Sequence, residues 1–452
     1  MDSTAYWQQM GGTMTALHFL PFVLLLFSTA AFPFIPFISR WWESMGNKLL
    51  FCTACAAAGV FLFLRPTGDV PKVLETYLDY LAFLALVGSL FTVSGGIYIS
   101  GAFAGLPYVN TLFLGLGAIL ASLLGTTGAS MVLIRPLLRA NLMRRHKTHV
   151  VVFFIFIVSN CGGLLTPLGD PPLYLGFLRG VPFFWTFRLI PIWALTLLIL
   201  LFVFHLVDDK IFDGEEINVR GSLIQAIQEA EQPIQVRGRF SVFCLLGILA
   251  TILLAGYWLN PWLEGRWGAH AVAASKLFQV AVMVTLGLLS YFRTPKEIHE
   301  ANQFSFAPFV EVMVLFFGIF GSMIPALTLL EAKGQTLAVT HPWQYFWLSG
   351  ILSSFLDNAP TYLSYAALAA GQVGLSADHL GALANRAPQL LMAVSCGSVL
   401  MGANSYIGNG PNFMVRAIAE QARVKMPSFG GYMLWSGAVL IPIFILMTFI
   451  FF

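Results

Sequence analysis

The 452-residue sequence predicts an all-α polytopic membrane protein, built as two inverted repeats with broken helices at the bilayer midplane. Three observations carry that expectation. The chain is 58% hydrophobic and only 10% charged, with mean hydropathy +0.79, where a soluble domain carries nearer a quarter charged residues. Apolar runs of spanning length recur along it. Two look-alike, helix-breaking stretches lie about 239 residues apart: Thr166-Pro167-Leu168-Gly169-Asp170-Pro171-Pro172 and Ser405-Tyr406-Ile407-Gly408-Asn409-Gly410-Pro411. Lipid penalises broken helices unless the freed backbone groups line a protected cavity, and paired breaks of this kind mark secondary-transporter sites.

Each element follows from hydropathy and punctuation. Spans are expected near 17–38, 47–64, 77–103, 149–165, 183–206, 240–259, 271–292, 305–330 and 432–452, with a further run at 387–401. Residues 1–16 hold no Lys or Arg, so 17–38 reads as a first span rather than a signal peptide. Segments 109–134 and 343–371 carry polar knots at their middles, Gly125-Thr126-Thr127-Gly128 and Asp357-Asn358-Ala359-Pro360, and read as re-entrant hairpins. The first repeat is then 1–206, with hairpin 109–134 and broken helix 149–178. The second is 240–452, with hairpin 343–371 and broken helix 387–418. A connector over 207–239, amphipathic near Ile217–Ala230, joins them on the cytoplasmic surface. The halves correspond along their length: Phe83 to Gly95 resembles Phe309 to Gly321, and Leu124-Gly125-Thr126 faces Leu356-Asp357-Asn358. Five spans per half is an odd number, so the second half is inverted.

Charge supports this path. With both termini periplasmic, the expected cytoplasmic segments hold 16 of the 24 Lys and Arg, with Arg139, Arg144, Arg145 and Lys147 as the strongest anchor. The net charge of +3 gives no reason to expect nucleic acid. Cys52 and Cys55 match a redox spacing but sit in a lipid-embedded run, where small-residue helix packing is the better reading.

Ionisable residues inside a membrane cost roughly 2.5–3.5 kcal/mol at mid-helix, so each asks for a reason. Asp357 at a hairpin tip, Asp170 in a broken helix and Glu311 in the eighth span are the three expected intramembrane acids. Inverted repeats would bring Asp170 and Asp357 toward one cavity. Cation/proton exchange needs such a carboxylate, one that holds a proton until Na⁺ or Li⁺ arrives. Side-chain and unwound backbone oxygens of Thr126, Thr127, Ser159, Asn160, Thr166, Gly169, Asn358, Asn404, Ser405 and Asn409 would complete the ligand set. Pro360 and Pro411 open the following half-helices. Asp170 could cap a helix as well, since Asp-Pro-Pro is a favourable start. Glu311 is an accessory candidate that a helix-pair hydrogen bond explains as well. His146, His149, His299 and His341 read as solvated and lack metal-ligand spacing. No phosphate-binding loop, dinucleotide fingerprint or nucleophile elbow is present.

Ser159-Asn160-x-Gly162-Gly163 followed by Thr166-Pro167-x-Gly169-Asp170, with the Asp357-Asn358-x-Pro360 hairpin, resembles the ion transporter superfamily over roughly 80–450. That group includes NhaD-type sodium/proton antiporters, arsenite efflux permeases and citrate or dicarboxylate transporters, and the nearest likeness is to citrate transporter-like and antiporter proteins. The resemblance implies an elevator-like alternating-access transporter, a homodimer in a bacterial inner membrane, with Na⁺ and H⁺ as coupling ions and no cofactor. Sodium/dicarboxylate symporters carry Ser-Asn-Thr at both hairpin tips. Here the tips are Gly-Thr-Thr-Gly and Asp-Asn-Ala-Pro, and an acid there repels a dianion. Arg135 and Arg416 are the nearest basic residues to the expected site. The leading expectation is therefore sodium (or lithium)/proton antiport. The alternatives are a cation-coupled citrate or organic-anion symporter, arsenite-type efflux, and, from another class, an intramembrane enzyme using two acids.

Overall fold

The computed structural model describes residues 14–101, 105–215, 235–267 and 271–452. It is an all-α membrane protein: among the described residues, eight helices are long and apolar enough to cross a bilayer. In chain order the helices are α1 (Leu20–Ala31), α2 (Pro36–Glu43), α3 (Met45–Thr67), α4 (Val70–Gly95), α5 (Pro107–Leu124), α6 (Thr126–Ala140), α7 (Thr148–Ile157), α8 (Pro171–Leu178), α9 (Ile190–Asp213), α10 (Arg239–Leu254), α11 (Asn260–Trp267), α12 (Ala271–Arg293), α13 (Lys296–Ala301), α14 (Ala307–Lys333), α15 (Pro342–Ser353), α16 (Asn358–Gln372), α17 (Leu380–Arg386), α18 (Pro388–Leu400), α19 (Gly410–Gln421) and α20 (Phe429–Phe451).

Two helices form the centre. Of the apolar stretch of α4, 72% is buried, and of α14, 78%, against 28% for α3, α9, α10, α12 and α20, whose other faces are left for lipid. Phe83 of α4 stacks on Phe316 of α14 at 4.6 Å. Around this pair the packing is reciprocal: α3 lies on α14, and α12 lies on α4. Each contact carries an ion pair, Lys48–Glu311 in the first and Lys276–Asp79, at 2.5 Å, in the second.

The α3–α14 seam explains the Cys-x-x-Cys spacing. A Cβ on Gly318 would stand 2.8 Å from that of Cys52, and one on Gly59 would meet the Ser322 Cα at 2.5 Å. Both cysteines are buried and unpaired, filling a close helix approach with small side chains as expected. Gly59→Val is therefore expected to push the backbones apart and to lower stability by about 1–3 kcal/mol. Thermal unfolding in detergent checks this, and an unchanged melting temperature would refute the close-packing account.

Three elements differ from expectation. The first span is not continuous: residues 16–31 and 36–43 form two helical pieces bent by 103°, because Pro33 and Pro36 remove hydrogen-bond donors where the helix would pass. Helix α9 runs on to Asp213, into the segment assigned to the connector; the amphipathic stretch Ile217–Ala230 lies outside the described residues. Strands Tyr98–Ser100 and Gln235–Arg237 pair antiparallel, a short ribbon that hydropathy does not register.

Candidate functional site

Both polar knots fall where one helix stops and the next begins. At the first, Gly125 takes φ 77°, a left-handed conformation open to glycine, between α5 and α6. The Thr126 N–H then donates to the Gly169 carbonyl at 2.8 Å, tying the knot to the first broken helix. At the second, Asp357 separates α15 from α16.

The broken helices satisfy their freed backbone groups with buried side chains. In the first, Ser122 Oγ donates to Gly162 O at 2.6 Å, Asn160 Nδ2 to Ile155 O at 2.8 Å, and Thr166 Oγ1 to Ser122 O. In the second, Asn412 Nδ2 donates to Gly402 O and Ser405 O at 2.9 Å each, and Ser405 Oγ to Ser354 O. The two sets correspond. Thr166 on Ser122 is repeated by Ser405 on Ser354. Gly169 is pressed against the Gly163 carbonyl, as Gly408 is against that of Gly402. Asp170 and Asn409 hold near-identical extended backbones, φ −144° and −148°, directly before α8 and α19.

Asp170 is the meeting point. It is 1% exposed. Its Oδ1 accepts from Thr126 Oγ1 at 2.9 Å and its Oδ2 from Asn358 Nδ2 at 2.8 Å, so the tips of both knots converge on one carboxylate. It makes no capping bond. Pro171 and Pro172 have no N–H, and the Leu173 N–H is taken by the Asp170 carbonyl at 3.1 Å, which leaves the carboxylate to side-chain partners. Asp357 does the opposite: its Oδ1 accepts the Ala359 N–H at 3.1 Å, capping α16. The helix-cap reading entertained for Asp170 thus belongs to Asp357, a half-buried residue one position before Asn358.

A cavity of about 410 Å³ opens beside Asp170, walled by Phe83, Leu86 and Leu90 of α4 and by polar Thr126, Thr127 and Asp170. Among the described residues no Lys, Arg or His lines it, and neither does Asp357. Gly169 lines it as well, and the other expected residues bond among the knots and broken helices. Asn409 Nδ2 bonds Ser159 O at 3.1 Å and Asn160 Oδ1 at 3.2 Å, and Asn160 Nδ2 bonds Asn412 Oδ1 at 2.7 Å, which joins the two broken helices. Asn404 Nδ2 reaches Ser354 Oγ at 2.9 Å, while its buried Oδ1 meets no donor among the described residues. Pro360 and Pro411 are buried in the first turns of α16 and α19.

Glu311 is not part of this cluster; it pairs with Lys48, and its side chain is 45% exposed. Arg135 bonds Gln303 at 3.1 Å and Arg416 bonds Glu420 at 2.9 Å, so neither faces the cavity. His149 corrects another expectation. It is buried, with Nε2 2.8 Å from Asp208, because the start of α7 lies against α9 rather than in solvent. Sequence reasoning missed Ser122, Ser130, Ser353, Ser354 and Asn412, which bond into the knots and breaks. The offset of 232 that aligns Thr126 with Asn358 also aligns Ser122 with Ser354, and applying it to serines would have found that pair; Ser130, Ser353 and Asn412 have no like partner at that offset.

A family model described as "Putative citrate transport" matches residues 11–452. The chain belongs to this family. The family is of the ion transporter type, so the resemblance read from Ser159–Asp170 and from Asp357–Pro360 holds at that level. Its description is that of a transport family, and together with the apolar helices it indicates a multi-pass membrane protein. No curated protein matches the sequence.

Proposed function

We propose that the chain is a secondary active transporter that exchanges Na⁺ or Li⁺ for protons by alternating access, with Asp170 as the ion-binding carboxylate. One observation carries the reading: a fully buried carboxylate held only by neutral donors, beside a cavity with no basic wall. A buried charge without a partner is costly, so such a group is occupied either by a proton or by a cation. One site filled by one or the other is what exchange requires. In this proposal oxygens of Thr126, Thr127, Ser159, Asn160, Thr166, Gly169, Asn358, Asn404, Ser405 and Asn409 would complete the hard ligand set, and Thr126, Thr127 and Gly169, which line the cavity, support it. Asp357, next to Asn358, is the second acid of the proposal. When exchange moves net charge, the membrane potential contributes about 2.3 kcal/mol per charge per 100 mV.

The matched bonds at Thr166 and Ser405, and the reciprocal packing of α3 and α12, support two inverted repeats spanning 1–206 and 240–452. In this reading α3, α4, α12 and α14 form the scaffold, while the knots and broken helices move as the elevator. A homodimer in a bacterial inner membrane, with periplasmic termini and re-entrant knots, belongs to the same proposal.

The family description favours a second reading: cation-coupled transport of citrate or a similar organic anion. The amino ends of α8 and α19 would then face the substrate carboxylates with their helix dipoles.

Everted vesicles from a host lacking sodium/proton antiporters separate the two. With the interior acidified by respiration, Na⁺ or Li⁺ is expected to collapse ΔpH. Silence with every cation, together with labelled-citrate uptake by cells, would replace the first reading with the second. Asp357→Asn isolates charge from capping, since Asn caps as well as Asp. The variant is expected to fold normally and to lose exchange by about tenfold or more, the effect of 1.4 kcal/mol at the rate-limiting step. Full activity would reduce Asp357 to a cap.

A further inference from the structure

Outside the site, a second cleft of about 340 Å³ gathers four charged side chains: Lys72, Arg179, Glu331 and Asp378. Lys72 and Glu331 belong to the two central helices, α4 and α14. Asp378 lies in the loop between α16 and α17, and Arg179 directly follows α8. Lys72 forms an ion pair with Asp378, side chains 15% and 23% exposed. Glu331 Oε2 accepts the Ala377 N–H at 3.0 Å, and Arg179 Nη1 donates to the Ala377 carbonyl at 3.3 Å. The loop is thereby held from both sides. Burial alone would raise the Asp378 carboxyl, but Lys72 and Arg179 together hold it below the usual range, which favours its carboxylate form.

The cleft lies on the same seam as the Asp170 cavity. Thr76 lines the cleft and Phe83 the cavity, seven residues apart on α4, or about 10 Å. On the other wall Tyr174 lines the cavity and Arg179 the cleft. Tyr174 stands between, its hydroxyl 3.5 Å from the Ala82 carbonyl. Helix α8 begins directly after Asp170 and is followed by Arg179, and α16 begins at Asn358, which holds that carboxylate, and leads into the loop of Asp378. The two helices thus link the two places.

We infer that this cleft is the outer mouth of the path to Asp170, and that the Lys72–Asp378 ion pair is a removable bar across it. Resting on the transport reading above, the inference is that scaffold and moving elements part here once per cycle. Opening frees Asp378 and exposes Glu331, two carboxylates that draw a hydrated cation inward while Lys72 withdraws with α4. The bar ties α4 to the α16–α17 loop, so it must break whenever that loop travels along the scaffold.

Two measurements test this. Thr328→Cys, in the cleft wall, reports access by an impermeant maleimide applied to one membrane face, the five native cysteines being buried. Labelling is expected to be slow with the pair intact and about tenfold faster after Lys72→Ala, the population shift that losing a partly buried pair produces. The Lys72→Asp/Asp378→Lys exchange, which keeps a pair, is expected to restore slow labelling. An unchanged rate after Lys72→Ala overturns the bar. Separately, Lys72→Cys/Asp378→Cys is joined by a short bifunctional methanethiosulfonate, because a lysine-length gap exceeds direct disulfide reach. Linked protein is expected to lose transport at least about tenfold and to regain it on reduction; transport at the unlinked rate would show that the contact never parts. If the unmodified protein moves no tested species, the transport reading fails on its own, and the labelling comparison still decides the bar.

Discussion

Asp170→Asn is expected to abolish ion exchange, by at least about 100-fold or roughly 2.7 kcal/mol, while the protein folds and inserts normally. The substitution is isosteric. Asn keeps an acceptor for Thr126 Oγ1, and it loses only a clean acceptor for Asn358 Nδ2. That amide cannot simply flip, because Asn358 Oδ1 accepts from Ser353 Oγ at 2.7 Å. The structural cost is thus about one hydrogen bond, roughly 0.5–1.5 kcal/mol. What disappears is the only charge on the cavity wall among the described residues, and with it the competition between proton and cation. Removing one neutral donor instead, by Thr126→Val, leaves that charge and is expected to weaken cation affinity only about tenfold. Ion-induced ΔpH collapse in everted vesicles reads both variants, with thermal melting as the folding control. Exchange surviving in Asp170→Asn would remove this carboxylate from the site.

The second large effect falls away from the site. Arg144, 2% exposed, is held by Asp208 at 2.5 Å, with Glu215 at 3.5 Å and the Gly105 carbonyl at 3.3 Å. Asp208 in turn accepts from Asn110 at 2.9 Å and faces His149. This cluster fastens α5, α7 and α9 to the loop after α6. Asp208→Ala leaves a buried guanidinium without its main counter-charge, at a cost of about 3–5 kcal/mol, and is expected to give little folded protein in detergent. Arg144→Met/Asp208→Leu removes both charges and is expected to be more stable than Asp208→Ala. Glu311→Ala breaks a pair whose acid is 45% exposed and is expected to cost within about 1 kcal/mol. Melting temperatures of the four proteins decide it, and equal losses at Asp208 and Glu311 would refute the distinction.

What was legible in the sequence was local chemistry. Gly125, the Thr166–Pro172 run and the Ser405–Pro411 run break helices wherever they stand, because glycine freedom and missing proline donors need no tertiary context. Cys52 and Cys55 could be read as packing residues from their surroundings. Partnership was not legible. Asp79 and Lys276 are 197 positions apart, and each alone looks like a charge near a span end. His149 opens a helix at a loop, and only the approach of α9 buries it. The roles of Asp170 and Asp357 turn on one detail present in the sequence but unweighted. Two prolines after Asp170 leave its carboxylate no nearby N–H to cap, whereas Asn358 and Ala359 after Asp357 supply them.

The reciprocal seating of α3 on α14 and α12 on α4 bears on how the chain is made. At about 5–20 residues per second, Lys276 leaves the ribosome roughly 10–40 s after Asp79, and Glu311 later still after Lys48. Through that interval the early helices sit in the bilayer with an unanswered acid and an unanswered amine. The nascent amino-terminal portion is an open half-clasp, dependent on the insertion machinery until its complement arrives. Biogenesis quality control therefore has a long window in which to capture this protein, and truncation after α9 would leave a product that cannot close.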